Sequence, residues 1–340
     1  MSRRMVDRWE DDNKSYLKLN IKNRIYPTLY GLVIGDCLGV PVEFKKRGTF
    51  TIADMEGYGT YNQPKGTWSD DSSLTFCLME NIVENGDEAS LLRKFVKYKE
   101  EGYLTPYGAM FDIGNTTIEA VNRFLGGSSP SQCGGKEEYD NGNGALMRIA
   151  PLAFILCSNF NFIEKCNVIK KYTELTHAHP RSIVGSIIYI QLLIAMYLNN
   201  SINLSISGIE KLFKTNFNEN HVYRKELESY KRIFQDGFFD LKENEIKSSG
   251  YVVDTLEAAI WCLGTTKTFE GAVLKAVNLG GDTDTIASIT GSLAGIYYKM
   301  DAIPEKWIRQ IASKEKVDEL INRFMLYCAN QAVIKEYGEL

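Results

Sequence analysis

Two short stretches, Ser69-Asp70-Asp71 and Asp282-Thr283-Asp284-Thr285, crowd carboxylates and hydroxyls at points where the following sequence turns helical. A helix start needs only one side-chain oxygen as a cap, and each stretch supplies more than that. The surplus carboxylates repel one another unless something positive holds them. Carboxylate and hydroxyl oxygens without a cysteine or histidine close by form a hard donor set, which suits magnesium, manganese or calcium better than zinc or copper. The helix amides would orient the carboxylates, because the positive end of a helix dipole does not itself attract a cation. Spacing alone leaves open whether the two stretches meet.

Two other readings of the second stretch fail. DTDTI matches the nucleophile pattern of haloacid-dehalogenase-like phosphotransferases, but that pattern follows a buried strand of a parallel sheet, and here Asn278-Leu279-Gly280-Gly281 intervenes in a chain with helical periodicity. An EF-hand requires a twelve-residue loop with a central glycine and a final glutamate, which is missing.

Further polar residues stand near predicted helix ends. Glu43 lies just past Pro41 and, taken alone, reads as a surface acid. In DNGNGALMR, Asp140 to Arg148, two glycines can bring bare amides close to an anion, with Asn143 and Arg148 as donors; an ordinary glycine-rich turn fits equally well. His177 and His179 sit in THAHP, where an i, i+2 pair lacks a third metal ligand. A ligand contact for His177 and a structural or solvent-facing role for His179 are the better readings.

The elements that must position these residues are helices. Apolar residues recur at three- and four-residue intervals, and alternating β-branched runs are nearly absent, so the fold class is all-α. Gly31, Gly35 and Gly39 form one small-residue stripe that ends at Pro41, and Ala287, Gly291 and Gly295 form another in the helix entered from DTDT. A helix capped at Ser69 or Asp70 carries Leu74, Leu78 and Ile82 on one face, and another follows Pro180. Residues 182–198 fall short of a bilayer span and contain Ser186 and Gln191, which predicts a buried core helix.

Composition narrows the function classes. With 340 residues, 44% of them hydrophobic, the chain can bury a large core, and a net charge of -4 argues against a general grip on nucleic acid or an acidic membrane. Seven irregularly spaced cysteines predict reduced thiols, and a mixed-charge start without an apolar region predicts a cytoplasmic protein. Residues 126–144 read as a glycine-rich loop and 201–249 as a peripheral helical insertion, with no linker that divides the chain.

In order, GLVIGDCLGVPVEF, GTWSDDSSLTFCL, NGNGALMRIAPLA, THAHPRSIVGS, SGYVVDTLEAAIW and AVNLGGDTDTIASITGSLAGIYY resemble the blocks of the ADP-ribosylglycohydrolase family, over about residues 24–300. The resemblance implies a compact orthogonal helical bundle, a single domain over 21–340, whose cleft holds two divalent cations, magnesium or manganese. It implies metal ligation by Ser69, Asp70, Asp71, Asp282, Asp284 and Thr285, with serine at 69 where many members have threonine. Glu43 matches a metal-linked catalytic glutamate of the serine-specific branch, and Asp140 an acid suggested as base or guanidinium contact in arginine-specific members; with Asp284 these are the candidate catalytic residues. Asn143, Gly144 and His177 fall where members approach ADP-ribose, and Tyr251 lies beside the cleft. The implied activity is removal of ADP-ribose from protein side chains, most simply arginine. An alternative is an immunity protein that neutralises an ADP-ribosyltransferase toxin, either by reversing the modification or by binding the toxin through an N-terminal extension, residues 1–20, that includes Trp9. A non-catalytic relative, as among lens crystallins, is disfavoured by the intact set of acids.

Overall fold

The computed structural model describes the backbone of residues 3–158 and 161–337 and the side chains of residues 20–158 and 161–332. Of the extension expected over residues 1–20, all but residue 20 therefore lies outside the described side chains. Among the described residues the architecture is all-α, with isolated bridges but no β-strand. Helix α1 spans Arg3–Gly39, α2 Asp70–Val83, α3 Pro180–Tyr197, α4 Ile202–Asn216, α5 Val252–Gly264, α6 Phe269–Asn278, α7 Thr283–Tyr298 and α8 Lys314–Tyr337, with shorter helices between them.

The two predicted small-residue stripes pack against each other. A Cβ at Gly31 would strike the Gly291 carbonyl, one at Gly35 the Ala287 carbonyl, and one at Gly295 the Pro27 carbonyl. Backbone thus meets backbone along the α1–α7 seam, which only small residues permit. The seam ends where Gly39 abuts the backbone of Asp284, and Thr283 Oγ1 donates to the Gly39 carbonyl at 2.8 Å. Contact between two stripes therefore delivers the second acidic cluster to the chain segment that carries Glu43.

Around this seam α3 is buried along nearly its whole length, and its Tyr189 hydroxyl shares a 2.5 Å hydrogen bond with Ser292 of α7. Two segments, Asn20–Val42 and Pro180–Tyr197, are long and apolar enough to cross a membrane; 94% and 78% of their windows are buried inside the fold, as core helices require. Cys37, Cys77, Cys133, Cys166, Cys262 and Cys328 are free thiols.

Candidate active site

Helix α2 starts with its donors already served. Asp36, the acid in the apolar part of α1, accepts the Ser69 amide at 2.9 Å, the Ser72 amide at 3.0 Å and the Ser72 hydroxyl at 2.6 Å. Because Asp36 takes over much of the capping, the carboxylates of Asp70 and Asp71 are free for other work. Ser69 Oγ accepts the Asp71 amide at 3.3 Å and lies 3.4 Å from Asp71 Oδ2. Thr285 Oγ1 donates to that same Oδ2 at 3.2 Å, so the two acidic clusters converge across 214 positions of sequence.

Glu43 joins them from the far end of α1. One carboxylate oxygen each from Glu43, Asp282 and Asp284 fall within 4.8 Å of one another. Asp282 Oδ2 accepts the Asn143 side-chain amide at 2.9 Å. Burial pushes the carboxyls of Asp70, Asp71 and Asp284 well above the usual carboxylate range, and neighbouring acids push them further. Burial, then Asp112 and Asp282, push Glu43 up to about 8, opposed by hydrogen bonds from Asp284 and Tyr61.

These residues fit a hard divalent cation. Glu43 Oε2, Asp71 Oδ1 and Asp282 Oδ1 are buried without any hydrogen-bond partner. Three orphaned carboxylate oxygens on different elements are costly unless a positive charge meets them. Their donor chemistry is the oxygen set that magnesium and manganese prefer.

The glycine-rich loop lies against the second cluster. Its Gly142 bridges Tyr251, the Asn143 amide donates to the Gly250 carbonyl at 3.0 Å, and Asn143 Nδ2 donates to Thr255 at 2.9 Å as well as to Asp282. His177 is buried beneath this loop, where a Cβ at Gly144 would press on its ring. Burial, then the Arg148 charge, push its imidazole down to about 3, so it is neutral, with Nδ1 2.7 Å from Thr176 Oγ1. Arg148 is itself buried, donating to Gly144, Tyr172 and Thr176; its guanidinium braces the loop and is not presented to an anion. Tyr251 receives a 3.0 Å hydrogen bond from Arg181, which also pairs with Glu138 and Glu226. His179 caps α3 by accepting the Arg181 amide at 3.1 Å.

Asp140 is buried in the same loop, but the contacts of its carboxylate are local: it accepts the Glu137 amide at 2.8 Å and packs on Gly135. The acid that reaches the cluster from the middle of the chain is Asp112. Burial raises its carboxyl, a hydrogen bond from Tyr61 lowers it, and the Asp282 charge raises it. Tyr61 also bonds Glu43, and its ring packs 5.1 Å from Phe111. Sequence reasoning missed Asp112, in an irregular segment, and Tyr61, at the end of the single 3-10 turn Gly59–Tyr61, neither of which shows a period. Asp36 carried a usable signal, a lone acid inside an apolar glycine-striped helix.

The ADP-ribosylglycohydrolase family model matches residues 17–333. The chain belongs to the ADP-ribosylglycohydrolase family. Its relatives include the ADP-ribosylarginine hydrolase Tri1 of Serratia proteamaculans, 33% identical over 298 residues that cover 86% of this chain and 76% of that protein. The ADP-ribosyl-[dinitrogen reductase] glycohydrolase of Rhodospirillum rubrum is 25% identical over 302 residues, 87% of this chain and 92% of that protein. A solved structure titled ADP-ribosylglycohydrolase-related protein complex superposes with a TM-score of 0.76 at 27% identity, covering 91% of this chain and 99% of that one. As a family member the chain is a glycosidic-bond hydrolase.

Proposed function

We propose that this family member hydrolyses the bond between the anomeric carbon of ADP-ribose and the guanidinium nitrogen of a modified arginine, in a reaction that depends on divalent cations. The observation that carries the site is the convergence of Glu43, Asp71 and Asp282, each with a buried orphaned oxygen. The arginine linkage rests on the relatives named ADP-ribosylarginine hydrolase. Ser69, Asp70, Asp71, Asp282, Asp284 and Thr285 would hold magnesium or manganese, with Glu43 beside them. Bound there, the cations would grip ribose hydroxyls and lower the pKa of a water.

The chain's own residues do the rest. Positive charge that develops on the ribose as the carbon–nitrogen bond breaks is stabilised by the surrounding carboxylates. Glu43, pushed up to about 8, holds a proton at neutral pH, and it is linked through Tyr61 to Asp112. Those two acids are the proton carriers: one removes a proton from the attacking water and the other supplies one to the departing guanidine. Water thus contributes hydroxyl to the anomeric carbon and a proton to arginine. Asn143 orients Asp282, and the Gly142–Gly144 backbone, braced from below by His177 and Arg148, forms a wall against which ADP-ribose can lie.

The test is release of free ADP-ribose from proteins modified on arginine and, separately, on serine. Release from arginine alone supports the proposal. Release from serine alone overturns the linkage and leaves the hydrolase centre standing.

A further inference from the structure

Four residues past Glu43, Arg47 spends its guanidinium in an unusual way. Nε donates to the Leu279 carbonyl at 2.7 Å, Nη1 to the Glu243 carbonyl, and Nη2 to the Ile246 carbonyl at 2.7 Å and to Ser248 Oγ at 3.2 Å. None of these partners is a carboxylate. The three segments it joins are the loop that leaves Glu43, the end of the 201–249 region, and the loop that leads to Asp282.

Those segments also hold one another. The Phe44 amide donates to the Gly281 carbonyl at 2.7 Å, and the Gly281 amide returns a bond to Lys45 at 3.0 Å. The Asp282 amide donates to the Ser248 carbonyl at 2.9 Å, and Ser248 Oγ donates to Leu279 at 3.2 Å. Gly280 and Gly281 run through this junction at φ of 69° and 76°, and a Cβ at Gly280 would press on the backbone of Arg47. The double glycine before the second acidic cluster therefore makes room for the loop that carries Arg47.

We propose that Arg47 is a positioning residue for the acidic centre: its planar fork locks the loop after Glu43 to the loop before Asp282 and so sets the spacing between carboxylates on which cation binding depends. The inference rests on the cation-dependent reading given above. Lysine keeps the charge but cannot bridge three segments, because an ammonium is a compact donor without the fixed fork of a guanidinium. Groups that orient metal ligands typically matter by about 10- to 100-fold in metal affinity.

The experiment uses the full chain, stripped with EDTA, with Mn2+ as probe. Binding is followed by the EPR signal of free Mn2+, beside melting temperature in EDTA and hydrolysis against Mn2+ concentration. Arg47→Lys should bind Mn2+ about 10- to 100-fold more weakly, with little change in melting temperature. Its kcat should recover at high Mn2+ with substrate KM unchanged. Wild-type Mn2+ affinity in Arg47→Lys overturns the proposal, as does a loss confined to melting temperature. Ser248→Ala, which removes one arm of the junction, should show a smaller weakening of the same sign and gives a second check should larger changes at Arg47 fail to fold. Absence of Mn2+ binding by the wild-type chain overturns the cation reading itself, a result distinct from normal binding by the variant.

Discussion

Replacing Glu43 by glutamine should make the metal-free protein more stable at neutral and alkaline pH, although it removes a residue of the proposed active site. The carboxyl is 5% exposed and pushed up to about 8, against an ordinary value of 4.5. Folding therefore raises its proton affinity, and the unfolded chain gives up this proton first. The contribution to stability is fully present below about 4.5 and is lost as the pH rises through about 8. At 1.36 kcal/mol per pH unit, the complete loss amounts to at most about 5 kcal/mol. Glutamine does not titrate, so the stability of Glu43→Gln minus that of wild type, in EDTA, should climb between pH 5 and 8.5. With Mg2+ or Mn2+ at 100 times its dissociation constant the difference should narrow, because the cation stabilises wild type by about 2.7 kcal/mol. Thermal melts of both proteins across that pH range, with and without cation, give the difference curve. A flat curve in EDTA, or a variant less stable than wild type throughout, would refute the reasoning.

Asp112→Asn should lower kcat by about 10²- to 10⁴-fold with the fold intact, as expected for loss of a proton carrier; steady-state kinetics beside circular dichroism checks it. Asp36→Asn should destabilise the chain by roughly 1.5–3 kcal/mol through loss of charge-assisted bonds at the start of α2, read from urea unfolding. Gly35→Ala should cost about 3 kcal/mol, since the added methyl meets the Ala287 backbone, and the same unfolding assay reports it. Deletion of residues 1–20 should leave turnover unchanged; a fall in kcat/KM would assign the segment to the catalytic unit.

The helical nature of the chain was legible because its apolar spacing carries one period, and the stripes Gly31–Gly35–Gly39 and Ala287–Gly291–Gly295 were legible as close-packing faces. That the stripes pack on each other was not, since a stripe names no partner. The surplus of acids at two helix starts pointed to a shared charge, and the structure supplies the missing reason in Asp36, which caps α2 from another helix. Asp112 and Tyr61 were hidden because an irregular loop and a single 3-10 turn have no period from which to infer a facing side. Asp140 drew attention through its neighbours in sequence, whereas the contacts of its carboxylate are with its own loop. His177, expected to contact a ligand, lies under the glycine-rich loop as a buried, neutral imidazole, a placement that its sequence block does not reveal.

The most direct test of the central claim is ADP-ribose release from an arginine-modified protein by the metal-stripped chain, titrated with Mg2+ and with Mn2+, beside the Asp282→Ala/Asp284→Ala variant. Release should be absent in EDTA, restored by either cation in wild type, and absent in the variant at any cation concentration. Full release by the stripped wild-type chain, or by the variant, would contradict that claim.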